Sequence, residues 1–168
     1  RARTNPASLT PAEQAILAQP SIPYNLDAWD GYQAARETVL ATSRSLGKNL
    51  VVLSGDTHNA WANELQDRNG NAVGVEFATS SVTSPGFEEY LPNENPATLA
   101  GALQQLIAPL KYCDTSRRGY MVLTATASEC RADWVYVNTI TSRNYTASTD
   151  KSLKVVAGAA GVGRIVAA

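Results

Sequence analysis

Asp56 and His58 stand two residues apart in Leu53-Ser54-Gly55-Asp56-Thr57-His58-Asn59-Ala60-Trp61, and His58 is the only histidine in 168 residues. A carboxylate oxygen beside an imidazole nitrogen is a donor pair suited to iron, zinc or manganese, with calcium at an all-oxygen neighbour. The same two groups could instead exchange protons or tie down a loop. A Ser-His-Asp hydrolase would have to use this one imidazole, and Asp56 so close in sequence orients it poorly. Ser54 superficially resembles the serine of a Gly-Asp-Ser esterase block, but the order is wrong and no second histidine follows. Metal ligation fits these residue types better. Asp30, in Asp27-Ala28-Trp29-Asp30-Gly31-Tyr32, is a third oxygen donor, at a position where a helix N-cap would equally stand.

The elements that must carry these groups follow α/β grammar. Thr10-Pro11-Ala12-Glu13 is a capping box with proline at the first helical position, predicting a short helix to about Gln19. Pro20 and Pro23 end it and extend the chain from Ser21 to Asn25. A second helix is expected from Gly31 or Tyr32 to Leu46, with Gly47 as its C′ residue. The uniformly apolar Leu50 to Leu53 then predicts a strand buried on both faces, delivering Asp56 and His58 at its C-terminal end. Two strands around the Asn69-Gly70 turn (60–66 and 72–79), a loop (80–86), a helix (96–107) and a second hairpin (119–126 and 132–139) follow. Leu153 to Val156 and Ile165 to Val166 read as short edge strands. The stretch Gly158 to Gly163 looks like a phosphate-cradling loop but lacks a following helix start and a Lys-Ser/Thr pair, so it reads as a glycine turn.

Composition excludes several classes. With 44% hydrophobic and 17% charged residues and a net charge of −1, the chain builds an ordinary core and offers no electrostatic case for nucleic acid. No apolar run reaches the roughly twenty residues of a membrane span. Cys113 and Cys130 are too few for a cysteine zinc site and are expected to be unpaired. No repeat or linker divides the sequence, which therefore reads as one domain or part of one.

Taken in order, Asp27 to Tyr32, Ala35-Arg36-Glu37, Leu53 to Trp61, Val75 to Thr79, Ser84-Pro85-Gly86, Arg118-Gly119-Tyr120 and Ala132 to Val137 resemble the C-terminal part of the PhoD-like alkaline phosphatase family. The resemblance implies an α/β fold, the C-terminal portion of a calcineurin-like metallophosphoesterase four-layer α/β/β/α sandwich with β-hairpins. It implies metal-dependent hydrolysis of phosphate esters by a metal-activated hydroxide, on a small phosphate-ester substrate. Asp56 and His58 match the last ligand motif, with Asp30 the next candidate; iron and calcium are the implied metals, and other divalent metals are possible. Glu76 could orient a ligand or face outward. Thr57, Asn59 and Trp61 could line the site, or serve loop and core as such residues commonly do. Family members are periplasmic or secreted.

Three ligands fall short of the about six that a site of two or three metals takes from its protein. In the family the rest come from an N-terminal half, which this chain, opening on Arg1-Ala2-Arg3, lacks. The expectation is therefore a truncated piece, inactive alone. The competing class is a non-catalytic β-rich module that packs against a partner, with residues 55–58 as a loop tie.

Overall fold

The computed structural model describes residues 2, 5–20, 23, 25–158 and 162–168. The extension expected across Ser21 to Asn25, and the glycine turn after Gly158, fall partly outside them. The chain divides into two compact units, Arg1–Arg36 and Glu37–Ala168.

In the first unit, helix α1 (Pro11–Leu17) starts as the sequence predicts. The Thr10 side chain accepts from the Glu13 backbone N–H, and the Glu13 carboxylate accepts from that of Thr10. None of its residues is buried. A 3-10 turn (Trp29–Gly31) precedes helix α2 (Gln33–Ser45), whose first residues belong to this unit. The Tyr32 hydroxyl donates to Asp27 at 2.9 Å.

The second unit holds two four-stranded sheets. β1 (Leu50–Ser54), β2 (Ala60–Gln66), β3 (Ala72–Ala78) and β4 (Leu110–Asp114) form the first, in the order β1-β3-β2-β4. β1 runs parallel to β3, while β2 is antiparallel to both β3 and β4. β5 (Gly119–Ala125), β6 (Glu129–Val137), β7 (Ala147–Val156) and β8 (Ile165–Ala167) form an antiparallel meander. The β2–β3 turn has Gly70 at φ +79°, as its Asn-Gly sequence predicts.

Alternation along the strands fixes what each face does. Ala60, Ala62, Val75, Phe77 and Tyr112 of the first sheet pack against Ala132, Trp134, Tyr136, Leu153 and Val155 of the second in one buried cluster. On the opposite face of the first sheet, Trp61, Leu110 and Cys113 pack with Ala100 and Leu103 of helix α4 (Pro96–Leu106). Helix, sheet and sheet are thus three successive layers. Trp134 anchors the middle: it is fully buried, packs edge-on to Phe77 at 5.7 Å and donates from Nε1 to the Ala78 carbonyl at 2.9 Å. No helix among the described residues is long and apolar enough to cross a membrane.

Three expectations need correction. Among the described residues β1 lies at the sheet edge, with a strand partner on one side alone, and its residues are only partly buried, with Leu53 exposed. β4 is an additional strand without a local signature; its pairing partner β2 lies more than 40 residues away, beyond any local pattern. β7 is ten residues long and interior to its sheet rather than a short edge strand. The two cysteines are unpaired and buried, as expected, one in each sheet, and burial pushes the Cys113 thiol up to about 11.

A polar clip joins the two sheets. Arg117 donates to Asp114 and to Asp150, both at 2.6 Å, and lies 4.1 Å from the Tyr136 ring centroid. Beneath it the Tyr112 and Tyr136 hydroxyls share a buried hydrogen bond of 2.7 Å. Burial raises the Tyr112 phenol to about 12, and burial and its partner raise Tyr136 as well. Below pH about 10, the ordinary tyrosine value, both phenols are neutral in folded and unfolded chains. Above it only the unfolded chain ionises, so stability should fall as pH climbs from about 10 to about 12. Urea midpoints across that window, compared with a Tyr112→Phe/Tyr136→Phe variant, check this; the variant should show a flatter decline.

Candidate metal centre

β1 ends at Ser54, and the chain then turns through two left-handed residues, Asp56 (φ +68°) and His58 (φ +62°). They are the non-glycine residues with positive φ among those described. Aspartate and histidine tolerate this region better than most side chains, yet two within three residues is a local strain that the surroundings must hold. The Thr57 N–H donates to the Gly55 carbonyl at 2.8 Å and tightens the turn.

The hold comes from the segment at 84–88. His58 Nδ1 lies 2.9 Å from the Pro85 carbonyl. A carbonyl only accepts, so Nδ1 carries a proton, and in the neutral ring Nε2 keeps its lone pair. A backbone carbonyl on one ring nitrogen is the usual way to fix the other as a metal donor. Asn59, fully buried, donates from Nδ2 to the Thr57 carbonyl at 2.7 Å and accepts at Oδ1 from the Phe87 N–H at 3.1 Å. Phe87 opens the short helix α3 (Phe87–Tyr90) and meets Trp61 edge-on at 6.0 Å. Trp61 Nε1 donates to Thr57 Oγ1 at 2.7 Å. Thr57, Asn59 and Trp61 therefore all brace the turn that carries Asp56 and His58. Gly86 is required here, since a Cβ would lie 2.6 Å from Asn59 Oδ1 and 2.9 Å from the Thr115 carbonyl.

Asp56 is exposed and His58 half-buried. Glu76, on β3, accepts from Ser54 Oγ at 2.7 Å and from Asn63 Nδ2 at 3.0 Å, so it ties together β1, β3 and β2. Asp30 lies in the first unit, in the 3-10 turn, with its carboxylate 3.4 Å from Arg36 Nε. Among the described residues no three His, Cys, Asp or Glu side chains gather into a metal-sized group. The donor types fit a metal and the fixed imidazole fits it well; the donor number within the described residues does not complete a site.

A groove of about 500 Å³ opens beside this turn, lined by Ser54, Gly55, Thr79 and Ser80 from the ends of β1 and β3, and by Leu53 and Tyr120. It occupies the crevice beyond the carboxyl ends of two parallel strands, where open α/β sheets bind ligands. Ser80 Oγ is buried there without a hydrogen-bond partner among the described residues. Sequence reasoning missed the Pro85 carbonyl and the Phe87 N–H as the partners of His58 and Asn59, because they lie 27 and 28 residues away.

The family described as PhoD-like phosphatase matches residues 3–134. Alkaline phosphatase D of Bacillus subtilis (strain 168) is 31% identical over 136 residues, which make up 77% of this chain and 22% of that protein. A solved structure described as "Structure of PhoD" superposes with a TM-score of 0.69 at 28% identity, covering 86% of this chain and 27% of that one. The chain thus spans less than a third of the length of each of these relatives.

Proposed function

The chain belongs to the PhoD-like phosphatase family, and from that premise we propose that it forms one wall of a metal-dependent phosphoric-ester hydrolase site, with Asp56 and His58 as ligands. The observation that supports this most is the imidazole itself. Its Nδ1 is committed to the Pro85 carbonyl, which leaves Nε2 as a donor, and it stands on a strained turn two residues from an exposed carboxylate. Iron with calcium is the proposed metal set, with Glu76 acting through its hydrogen bonds to β1 and β2. When bound, such cations offset the charge of the phosphoryl oxygens and make water a stronger acid. The chain's own residues hold the donors in place, and the groove beside Gly55 receives the organic arm of a small phosphate ester.

Two or three donors are short of the about six that a site of several cations needs. The remaining ligands come from another part of the same enzyme, and the chain alone turns over no ester. Periplasmic or secreted localisation accompanies this proposal and is tested by fractionating the ester-hydrolysing activity.

Calorimetric titration of the purified chain with Fe(II), Ca(II), Mn(II) and Zn(II) checks the ligand assignment. Weak binding of at least one metal is expected, abolished in His58→Ala and in Asp56→Ala. No binding by the chain, with unchanged melting of both variants, would favour a loop tie in a non-catalytic module. Substantial phosphoester turnover by the isolated chain, lost in Asp56→Ala, would overturn the need for ligands from elsewhere.

A further inference from the structure

Close in sequence to the Pro85 carbonyl, at Glu88, lies a half-buried ion pair with no place in the donor set. Arg118 is bonded to Glu88, and their side chains retain only 12% and 27% of their exposure. Glu88 Oε1 also accepts from the Gly86 N–H at 3.3 Å, and Arg118 Nη1 donates to the Ser116 carbonyl. Glu88 Oε2 and Arg118 Nε are buried without partners among the described residues. An ion pair with one buried, unbonded atom on each side is a poor source of stability, since desolvation of those atoms offsets part of the attraction. What such a pair does supply is a fixed geometry.

The geometry it fixes is that of Pro85. Residues 84–88 are gripped from one side by Asn59, through the Phe87 N–H, and from the other by Arg118, through Glu88 and the Gly86 N–H. Arg118 is itself anchored in the second sheet, its carbonyl accepting from the Val137 N–H at 2.9 Å, and the Gly119 N–H donates to the Ser81 carbonyl at 3.0 Å. The carbonyl that His58 Nδ1 meets belongs to the Pro85–Gly86 peptide, whose N–H is the one Glu88 accepts from. We propose that Asn59 and the Arg118–Glu88 pair are positioning residues. They hold the Pro85 carbonyl where it selects the Nδ1-protonated tautomer of His58 and leaves Nε2 open as donor. The role of that donor toward a metal rests on the function proposed above; the tautomer selection does not.

Because His58 is the only imidazole, its nitrogen-15 resonances read the tautomer without ambiguity. At a pH where the ring is neutral, the wild-type chain should show one protonated Nδ1 and one unprotonated Nε2. The Arg118→Met/Glu88→Met variant replaces the ion pair with apolar groups of similar length, a change often neutral or stabilising for the fold. It should show a mixture of tautomers, and any metal affinity of the wild type should fall about tenfold or more, as when partners of metal-bound histidines are lost. A folded double variant with the wild-type tautomer population would overturn the proposal. Should that variant not fold, Glu88→Gln decides by the same spectrum: it keeps the side chain's shape and removes the charge that pairs with Arg118, so a mixture of tautomers is expected and the wild-type population would overturn the proposal. A tautomer shift in a chain that binds no metal would sink the ligand assignment and leave the positioning role standing.

Discussion

Replacing Trp134 with alanine should destabilise the second unit by about 3–5 kcal/mol, the cost of removing a buried aromatic ring from a packed core. The ring is fully buried and touches both sheets: Phe77 meets it edge-on, and Tyr112 lies 5.0 Å away across a tilt. Neighbouring positions offer little material to collapse into the hole, since Ala60, Ala62 and Ala132 are already small. The Ala78 carbonyl would also lose its donor, at the end of β3 where the crevice begins. Trp134→Phe separates these contributions. It keeps most of the ring and leaves the carbonyl unpaired, so its cost should be nearer about 1–2 kcal/mol. Native domains have only about 5–15 kcal/mol to lose, so the alanine variant should lie close to unfolding at room temperature. Urea denaturation measures both. A cost below about 1 kcal/mol for Trp134→Ala would mean that the two sheets do not share this core.

Local chemistry makes much of this fold legible. The capping box at Thr10, the Asn69-Gly70 turn and the hairpin of β5 and β6 each depend on residues within a few positions of one another. What escapes are the relations between distant residues. The apolar run of β1 reads as a central strand because its side chains suit burial, but sequence cannot say how many partners a strand finds. β4 hides between helix α4 and a charged loop, and only pairing with β2 defines it. At the candidate site, Asp56 and His58 are legible from type and spacing. Their left-handed backbone is not, since neither residue is a glycine and the conformation is imposed by Asn59, Pro85 and Trp61. Thr57, Asn59 and Trp61 read from sequence either as lining candidates or as loop and core residues, and their hydrogen bonds brace the turn.

That imposed backbone leads to the second large effect. If Asp56 holds a cation as proposed, Asp56→Gly in a phosphoester-hydrolysing form of the protein should reduce turnover by about a thousandfold or more, because such a ligand supplies several kcal/mol of transition-state stabilisation. The same substitution should leave stability unchanged or raise it by up to about 1 kcal/mol, since glycine adopts positive φ without steric cost. The exposed Asp56 carboxylate has no hydrogen bond among the described residues to set against that relief. At this chain length such a gain would appear as an increase of about 2–4 °C in melting temperature. Asp56→Asn provides the control: it tolerates the left-handed region, keeps the shape and removes the charge, so activity should fall with stability unmoved. A turn kept strained for its chemistry predicts activity and stability moving apart in this way. If Asp56→Gly retained turnover, or if activity and melting temperature fell together, the turn would be a structural tie and Asp56 no ligand.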